Sequence, residues 1–247
     1  MSIYHWNNET NIKFCEGKMN ENYPIENIKE FINGITSLFL SFCGIYGLSV
    51  YRKYRLSRTN QLLYTLLIIC GIGSCFFHFT LNHGWKMMDE IPMIMLITIG
   101  CSYYVYIANQ NNKIKTILID IFALSYLLIT IEVDYLEKEP YFFRYLFGIP
   151  FIYVIYLLSI NKQNCKKDIK SIINKSLFYG ISGFFFWILD LFLCNNFTVF
   201  LYLHSFWHIH ISLCGYYLIE FLQYMNITQK KKTYITVNKI LTFVDIK

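Results

Sequence analysis

Long apolar runs recur along almost the whole chain, and they restrict its possible folds more than any other feature. A run of about 18 apolar residues is long enough for an α-helix to cross a bilayer. Only 15% of the 247 residues are charged, against about a quarter in soluble domains. Because backbone polar groups inside a bilayer must be paired within their own segment, we predict transmembrane helices. Seven spans are predicted, at residues 31–51, 61–81, 90–108, 114–132, 141–160, 174–194 and 200–225.

Basic residues in the short connections indicate the direction of these spans. Segments 51–60 and 161–175 are both rich in Lys and Arg, which are enriched in cytosolic loops. We therefore predict an N-terminus that is outside or luminal and a cytosolic C-terminus. The expected fold class is all-α, a seven-transmembrane helix bundle. It divides into a polar N-terminal arm (1–30), a membrane domain (31–225) and a basic cytosolic tail (226–247).

The remaining composition excludes several other classes of protein. The net charge is +6, but no basic run is interleaved with aromatic residues, so we expect no nucleic-acid partner. The eight cysteines show no CxxC spacing, which argues against a cysteine-rich zinc module. Residues 1–29 lack the basic-then-apolar order of a cleavable signal peptide. The bilayer is the expected environment, and no obligate protein partner is evident.

Five polar residues in or beside the predicted spans attract attention, because ionisable groups inside a membrane are costly and mark functional sites. Ser74 and His78 are four residues apart near the end of span 2, so they share one helix face. Asp89 follows after a short turn, at the start of span 3. His204 and His208 repeat the four-residue spacing in span 7, and such pairs present two nitrogens to zinc.

The predicted topology places all five residues at a similar depth near the outer side. Three neutral histidines and one water would complete a tetrahedral catalytic site, so we favour a metal site over hydrogen-bonded packing histidines. His210 points to another face, and His83 in a loop and His5 in the arm are not needed. Asp190 and Glu220 pair helices or lie near lipid headgroups in this interpretation.

These residues and their neighbours resemble the alkaline ceramidases, within a superfamily of seven-span hydrolases that also includes the adiponectin receptors. The resemblance covers most of the chain. It implies hydrolysis of the N-acyl amide bond of ceramide to a sphingoid base and a free fatty acid, in an endoplasmic reticulum or Golgi-type membrane. The matching segments are GIGSCFFHFTL, MMDEIPM, FFWILDLFLC, HSFWH and the N-terminal FCE, ENY and KEF.

The resemblance also implies a role for each of the five residues. His78, His204 and His208 would bind zinc, which lowers the pKa of a bound water. Asp89 would orient this water and carry its proton to the leaving amine. Ser74, one turn from His78, would stabilise the oxyanion or support the zinc ligands.

A calcium site in the N-terminal arm is a further implication of the resemblance, with Glu16, Asn22 and Glu30 as ligands. Three departures from the family pattern weaken it. Lys13 replaces an acidic residue, Phe14 replaces a Trp, and GKMN is inserted after Glu16. Calcium affinity depends on the number of carboxylate ligands. The alternative is a solvated polar arm without calcium.

A disulfide between Cys15 and Cys194 is a separate hypothesis. Both cysteines fall on the predicted outer side, where an oxidising lumen permits the bond. It would tie the N-terminal arm to the end of span 6.

Two other functions stay open. One is a different lipid hydrolase of the same superfamily, acting for example on a glycolipid-anchor ester. The other is a receptor-like protein that retains the zinc. The five polar residues do not separate these functions, because the superfamily shares them. The flanking segments favour a ceramidase, and we expect no long soluble N-terminal domain of the kind typical of the receptor branch.

Overall fold

The computed structural model is helical throughout its central part. It describes residues 8–10, 12–19, 28–51, 57–108, 113–135, 142–163, 165, 167–194, 202–231, 235–237 and 244–246. The helices are α1 (Cys15–Met19), α2 (Phe31–Tyr51), α3 (Arg58–Thr80), α4 (His83–Ala108), α5 (Lys113–Tyr135), α6 (Phe142–Lys162), α7 (Lys167–Leu193) and α8 (Leu203–Lys231). Two short strands, β1 (Ile235–Val237) and β2 (Val244–Ile246), pair antiparallel.

Six of these helices, α2 to α7, are long and apolar enough to cross a membrane. The seventh predicted span lies in α8. This helix has 29 residues, which is long enough to cross a membrane, but it is less apolar on average than the other six. Buried polar side chains on its inner face explain this difference, among them Glu220, Gln223 and Asn226. The six helices indicate a multi-pass membrane protein.

The start of α4 differs from the sequence-based boundary by seven residues. The helix begins at His83 rather than residue 90, so His83 is a buried helical residue and not part of a loop. Asp89 consequently lies in the second turn of α4. Leu81 ends α3 in the left-handed conformation, with φ 52°, and this cap lets the chain reverse within two residues. Lys86 and Glu90 pair at 3.6 Å, which allows both charges to lie in one buried helix.

The ends of α7 and α8 also extend beyond the predicted spans. α7 starts at Lys167, seven residues before the predicted boundary, because the basic stretch before the apolar run is itself helical. α8 continues to Lys231, so the first residues of the predicted tail belong to this helix.

α8 packs against four other helices, α2, α3, α4 and α7, and therefore lies at the centre of the bundle. α5 lies at the periphery, packed mainly against α4 and α6. Its exposed surface is apolar, as expected for a helix that faces hydrocarbon. The exposed side chains include Ile114, Ile117, Leu118, Ile121, Phe122, Leu124, Leu128 and Ile129.

A close approach of α3 and α4 depends on Gly73. A Cβ atom at this position would overlap the carbonyl oxygen of Met88. The missing side chain lets the two backbones meet beside Ser74 and Asp89, which places two of the predicted site residues on adjoining surfaces.

The described part of the N-terminal arm covers the end of the bundle where α3 ends and α4 begins. The backbone N–H of Thr10 donates to the carbonyl of Leu81 at 2.8 Å, and the N–H of His83 donates to Asn8 at 2.9 Å. Phe14, Cys15 and Glu16 are buried. This part of the arm is thus packed against the helices, and the alternative of a solvated arm is wrong for it.

Candidate metal centre

Three histidines from two helices converge at the end of the bundle beneath the arm. His78 comes from the last turn of α3, and His204 and His208 come from the first two turns of α8. One nitrogen of each ring lies within 4.8 Å of the others, and all three side chains are buried. The ring centroids are 4.6–5.1 Å apart. The structure therefore brings together the three residues that the sequence predicted as metal ligands.

Each imidazole is positioned by a different neighbour. Oε2 of Glu30 lies 2.7 Å from Nδ1 of His78, and Oγ1 of Thr36 lies 3.3 Å from Nδ1 of His208. The Phe14 ring stacks on His204, with 3.6 Å between centroids. Hydrogen bonds from the second ring nitrogen fix the tautomer and orientation of metal-binding histidines.

Two of the ring nitrogens have no hydrogen-bond partner among the described residues. They are Nε2 of His78 and Nδ1 of His204, and both atoms are buried. A buried polar atom without a partner is costly. Three convergent imidazoles, two of them with an unpaired buried nitrogen, fit a metal ion of borderline softness, such as zinc.

A chain of side-chain contacts connects His78 to α8. Glu30 accepts a hydrogen bond from Nδ2 of Asn33 at 3.1 Å, and Asn33 accepts one from the Ser205 hydroxyl at 2.7 Å. Glu30 also accepts from the backbone N–H of Phe14 at 2.9 Å. Burial raises the pKa of the Glu30 carboxyl group to about 7. The N-terminus of α2 thereby holds α3, α8 and the arm in one arrangement.

The two predicted catalytic residues have different surroundings. Asp89 lines the same cavity as His204 and His208, and its carboxylate accepts a weak hydrogen bond from the Cys70 thiol at 3.6 Å. Ser74 is buried, and its hydroxyl has no hydrogen-bond partner within the described chain. Ser74 does not line the cavity. The geometry thus places Asp89, but not Ser74, on the cavity wall.

The cavity is narrow, with a volume of about 100 Å³, and its polar end is the histidine site. Its wall carries two carboxylates, Asp89 and Glu90, and the imidazoles of His204 and His208. The rest of the wall is almost entirely apolar, from residues such as Met93, Leu96, Ile97, Leu63, Leu67, Ile219 and Leu222. A site with a few polar groups at one end of an apolar cavity suits a molecule with a long hydrocarbon chain.

The predicted calcium ligands of the arm have other contacts in the structure. Both oxygens of Glu16 accept backbone hydrogen bonds at the start of α2, from Ile32 at 2.7 Å and Asn33 at 2.8 Å. Glu16 thus caps this helix, where a negative charge is favourable. Glu30 contacts His78 as described, and Asn22 lies outside the described residues.

The arm is also attached to the last two helices. A disulfide joins Cys15 to Cys194, with 5.1 Å between their Cα atoms. The Asp190 carboxylate accepts hydrogen bonds from the backbone N–H groups of Cys15 and His204. Asp190 therefore links the arm to the start of α8, at one of the three histidines.

Comparison with known proteins agrees with this arrangement. A model of the ceramidase family matches residues 7–243. The chain belongs to the ceramidase family. This ceramidase is 27% identical to alkaline ceramidase 3 of Mus musculus over 240 residues, which cover 89% of the chain and 85% of the relative.

Two further relatives come from distant organisms. Alkaline ceramidase YPC1 of Saccharomyces cerevisiae is 23% identical over 268 residues, covering 92% of this ceramidase and 84% of the relative. An alkaline ceramidase of Caenorhabditis elegans is 26% identical over 216 residues, covering 84% and 78%.

Several positioning residues were not predicted from the sequence. Thr36 and Asn33 are ordinary polar residues in an apolar span, and neither has a spacing that indicates a site. Phe14 was noted only as a replacement for Trp, and Glu30 only as a calcium ligand. His210, treated as structural, hydrogen-bonds the carbonyl of Phe206 in its own helix at 2.8 Å.

Proposed function

We propose that this protein hydrolyses the N-acyl amide bond of ceramide, giving a sphingoid base and a free fatty acid. The observation that carries the proposal is the buried group of His78, His204 and His208, of which His204 and His208 line the polar end of an apolar cavity, in a chain of the ceramidase family. The named relatives are alkaline ceramidases, and a cavity of this kind suits a lipid amide.

The three histidines would hold zinc. When bound, zinc supplies Lewis-acid chemistry, lowering the pKa of a water and polarising an acyl oxygen. Glu30 and Thr36 keep the two Nδ1 atoms of His78 and His208 occupied, which directs the opposite ring nitrogens to the metal. Phe14, stacked on His204, excludes water from the arm side of the site.

Asp89 is the proposed proton carrier. Its carboxylate would take a proton from the attacking water and give it to the amide nitrogen as the C–N bond breaks. Its place on the cavity wall beside His204 and His208 supports this role. Ser74 lies one turn before His78, and its hydroxyl, unpartnered in the described part of the chain, would stabilise the oxyanion or support the zinc ligands.

The membrane arrangement is a proposal of the same kind. We propose that α8 is the seventh span, that the N-terminus is luminal, and that the site opens near the luminal face of an endoplasmic reticulum or Golgi membrane. The basic loops and the disulfide support it, because disulfides persist in an oxidising lumen. A glycosylation site inserted between residues 136 and 141 tests this orientation. If that connection is luminal, the site is glycosylated and the protein migrates more slowly in gel electrophoresis.

Calcium at the arm is proposed separately. Glu16 and Glu30 are buried carboxylates, and hard oxygen atoms are the ligands that calcium prefers. Both already accept hydrogen bonds, and Lys13 adds a cation nearby, so we propose weak binding. A thermal shift with calcium that is lost in Glu16→Gln supports this. An unchanged Tm of the wild type up to millimolar calcium refutes it.

The decisive experiment measures lipid hydrolysis by purified protein with ceramides and with O-acyl lipids. We expect sphingoid base from ceramide, and loss of this product after chelation or in His204→Ala. His210→Ala is the matched control, because His210 lies on the same helix outside the site. Activity that survives His204→Ala would exclude the mechanism, and release of fatty acid from esters alone would assign a different lipid hydrolase.

A further inference from the structure

Among the residues of α4 that line the catalytic cavity, Gly100 lies farthest from Asp89. Gly100 lies about three turns beyond Asp89 on α4, roughly 16 Å along the helix axis. Leu222, which faces it from α8, lies about 21 Å along that helix from His208. Both residues line the catalytic cavity. The cavity thus extends from the histidines well into the apolar interior of the bundle.

A second, smaller cavity of about 20 Å³ begins where the first one ends. Gly100 and Leu222 line both cavities, together with Ile97, Val154 and Leu218. The smaller cavity continues between α4 and α6, past Cys101, Tyr104 and Leu158. Gly100 therefore lies at the junction between the catalytic cavity and the smaller cavity.

The space at Gly100 is open enough to accept a side chain. A Cβ atom there would meet only Cδ1 of Leu222, at 3.9 Å, which is an ordinary van der Waals contact. Most buried glycines of the described chain differ: at Gly73, for example, a Cβ atom would overlap backbone. The absence of a side chain at Gly100 thus does not serve helix packing, and it leaves the far end of the cavity wide.

We propose that Gly100 determines which acyl-chain lengths this ceramidase accepts, by setting the depth of the cavity that receives the acyl chain. This rests on the proposed function, because the scissile carbonyl must lie at the histidine end. The acyl chain continues from that carbonyl without polar groups, which matches the apolar wall. The sphingoid base carries its hydroxyl groups close to the amide, where the wall is polar.

Substitution at Gly100 tests the proposal with ceramides of one sphingoid base and increasing acyl length. We expect Gly100→Ala to lower kcat/KM for very-long-chain ceramides. In Gly100→Leu, the decrease in kcat/KM for very-long-chain ceramides should be at least about tenfold larger than the decrease for short-chain ceramides. Gly148→Ala is the control. Gly148 is buried on α6, its added Cβ would meet only Phe184 at 3.6 Å, and it lines neither cavity.

A second variant separates a blocked cavity from a misfolded protein. Leu222→Ala in the Gly100→Leu background removes the facing side chain, and we expect it to restore hydrolysis of the long-chain substrates. Metal content and Tm of every variant report folding independently of activity.

The outcomes distinguish the inference from the function on which it rests. No sphingoid base from any ceramide with the wild type would overturn the proposed function. A different result would overturn only the role of Gly100: the wild type hydrolyses ceramides, and kcat/KM of Gly100→Leu depends on acyl-chain length in the same way as that of the wild type. A profile that changes with the length of the sphingoid base, and not of the acyl chain, would also overturn it.

Discussion

Oε2 of Glu30 lies 2.7 Å from Nδ1 of His78, and both side chains are fully buried. The pair joins the residue before α2 to the last turn of α3. Backbone contacts support it, since the N–H of Glu30 donates to the carbonyl of His78 at 3.0 Å. The main-chain and side-chain contacts together fix the position of the Glu30 carboxylate relative to the His78 imidazole.

Removal of the Glu30 carboxylate is expected to weaken metal binding. Loss of an outer partner of a metal-binding histidine costs about 10- to 100-fold in metal affinity. We expect Glu30→Ala to show this loss in zinc competition with a chelator in calcium-free buffer, and Glu30→Gln a smaller one. Glu9→Ala is the control, because Glu9 is half-exposed and pairs with Lys29. Unchanged zinc affinity in Glu30→Ala would contradict this role.

Phe14 is expected to matter for both stability and activity. Its ring is buried and stacks on His204, and Phe→Ala substitutions at buried sites cost about 3–5 kcal/mol. We expect Phe14→Ala to lower Tm and kcat, because water then reaches the imidazole. Phe14→Trp retains an aromatic surface and should keep most of both. Equal activities of the Ala and Trp variants would show that stacking on His204 is irrelevant.

The disulfide is expected to hold the arm over the site. Cys15 and Cys194 are 179 residues apart, and loss of a native disulfide typically costs about 2–5 kcal/mol. We expect the double variant Cys15→Ser/Cys194→Ser to melt at lower temperature and to lose activity faster on heating. Cys165→Ser is the control, since this cysteine is free. Mass spectrometry without reductant checks the bond, and two free thiols in the wild type would reject the prediction.

The contact between α3 and α4 should not tolerate a side chain at Gly73. The Cβ of Gly73→Ala would overlap the Met88 carbonyl and push Asp89 away from α3. We expect a lower Tm and reduced hydrolysis with unchanged zinc content, because the atoms nearest to the new Cβ belong to the backbone of Met88 and Asp89 and not to a histidine. Gly148→Ala, where the space is open, should leave all three measurements near the wild type. A wild-type rate in Gly73→Ala would show that Asp89 does not need this spacing.

Most of the helices follow directly from hydropathy, but their ends do not. The apolar run of α7 predicts a start at residue 174, yet the helix begins at Lys167. Lysine has a high helix propensity, so the basic residues before the apolar run are helical as well. Hydropathy also places the start of α4 too late, at residue 90 instead of His83. Lys86 and Asp89 are typical of a loop, and only the packed structure shows Lys86 paired with Glu90.

The convergence of the three histidines could be predicted because its signal is local. His204 and His208 share a face by spacing alone, and topology brings His78 to the same depth. The positioning residues carry no such signal. Thr36 reaches His208 only because α2 packs against α8, and Phe14 reaches His204 only because the arm folds over the bundle. Contacts of this kind depend on tertiary placement, which one sequence does not encode as a spacing.

The division of the three imidazoles between α3 and α8 has a consequence for biosynthesis. A chain emerging from the ribosome possesses His78 early, but it gains the other two histidines of the candidate metal site only with its last long helix. Until that helix joins the bundle, the nascent protein has only one of the three imidazoles of the candidate metal site. A chain that stops before residue 203 would lack His204 and His208, and the three-histidine group would not assemble.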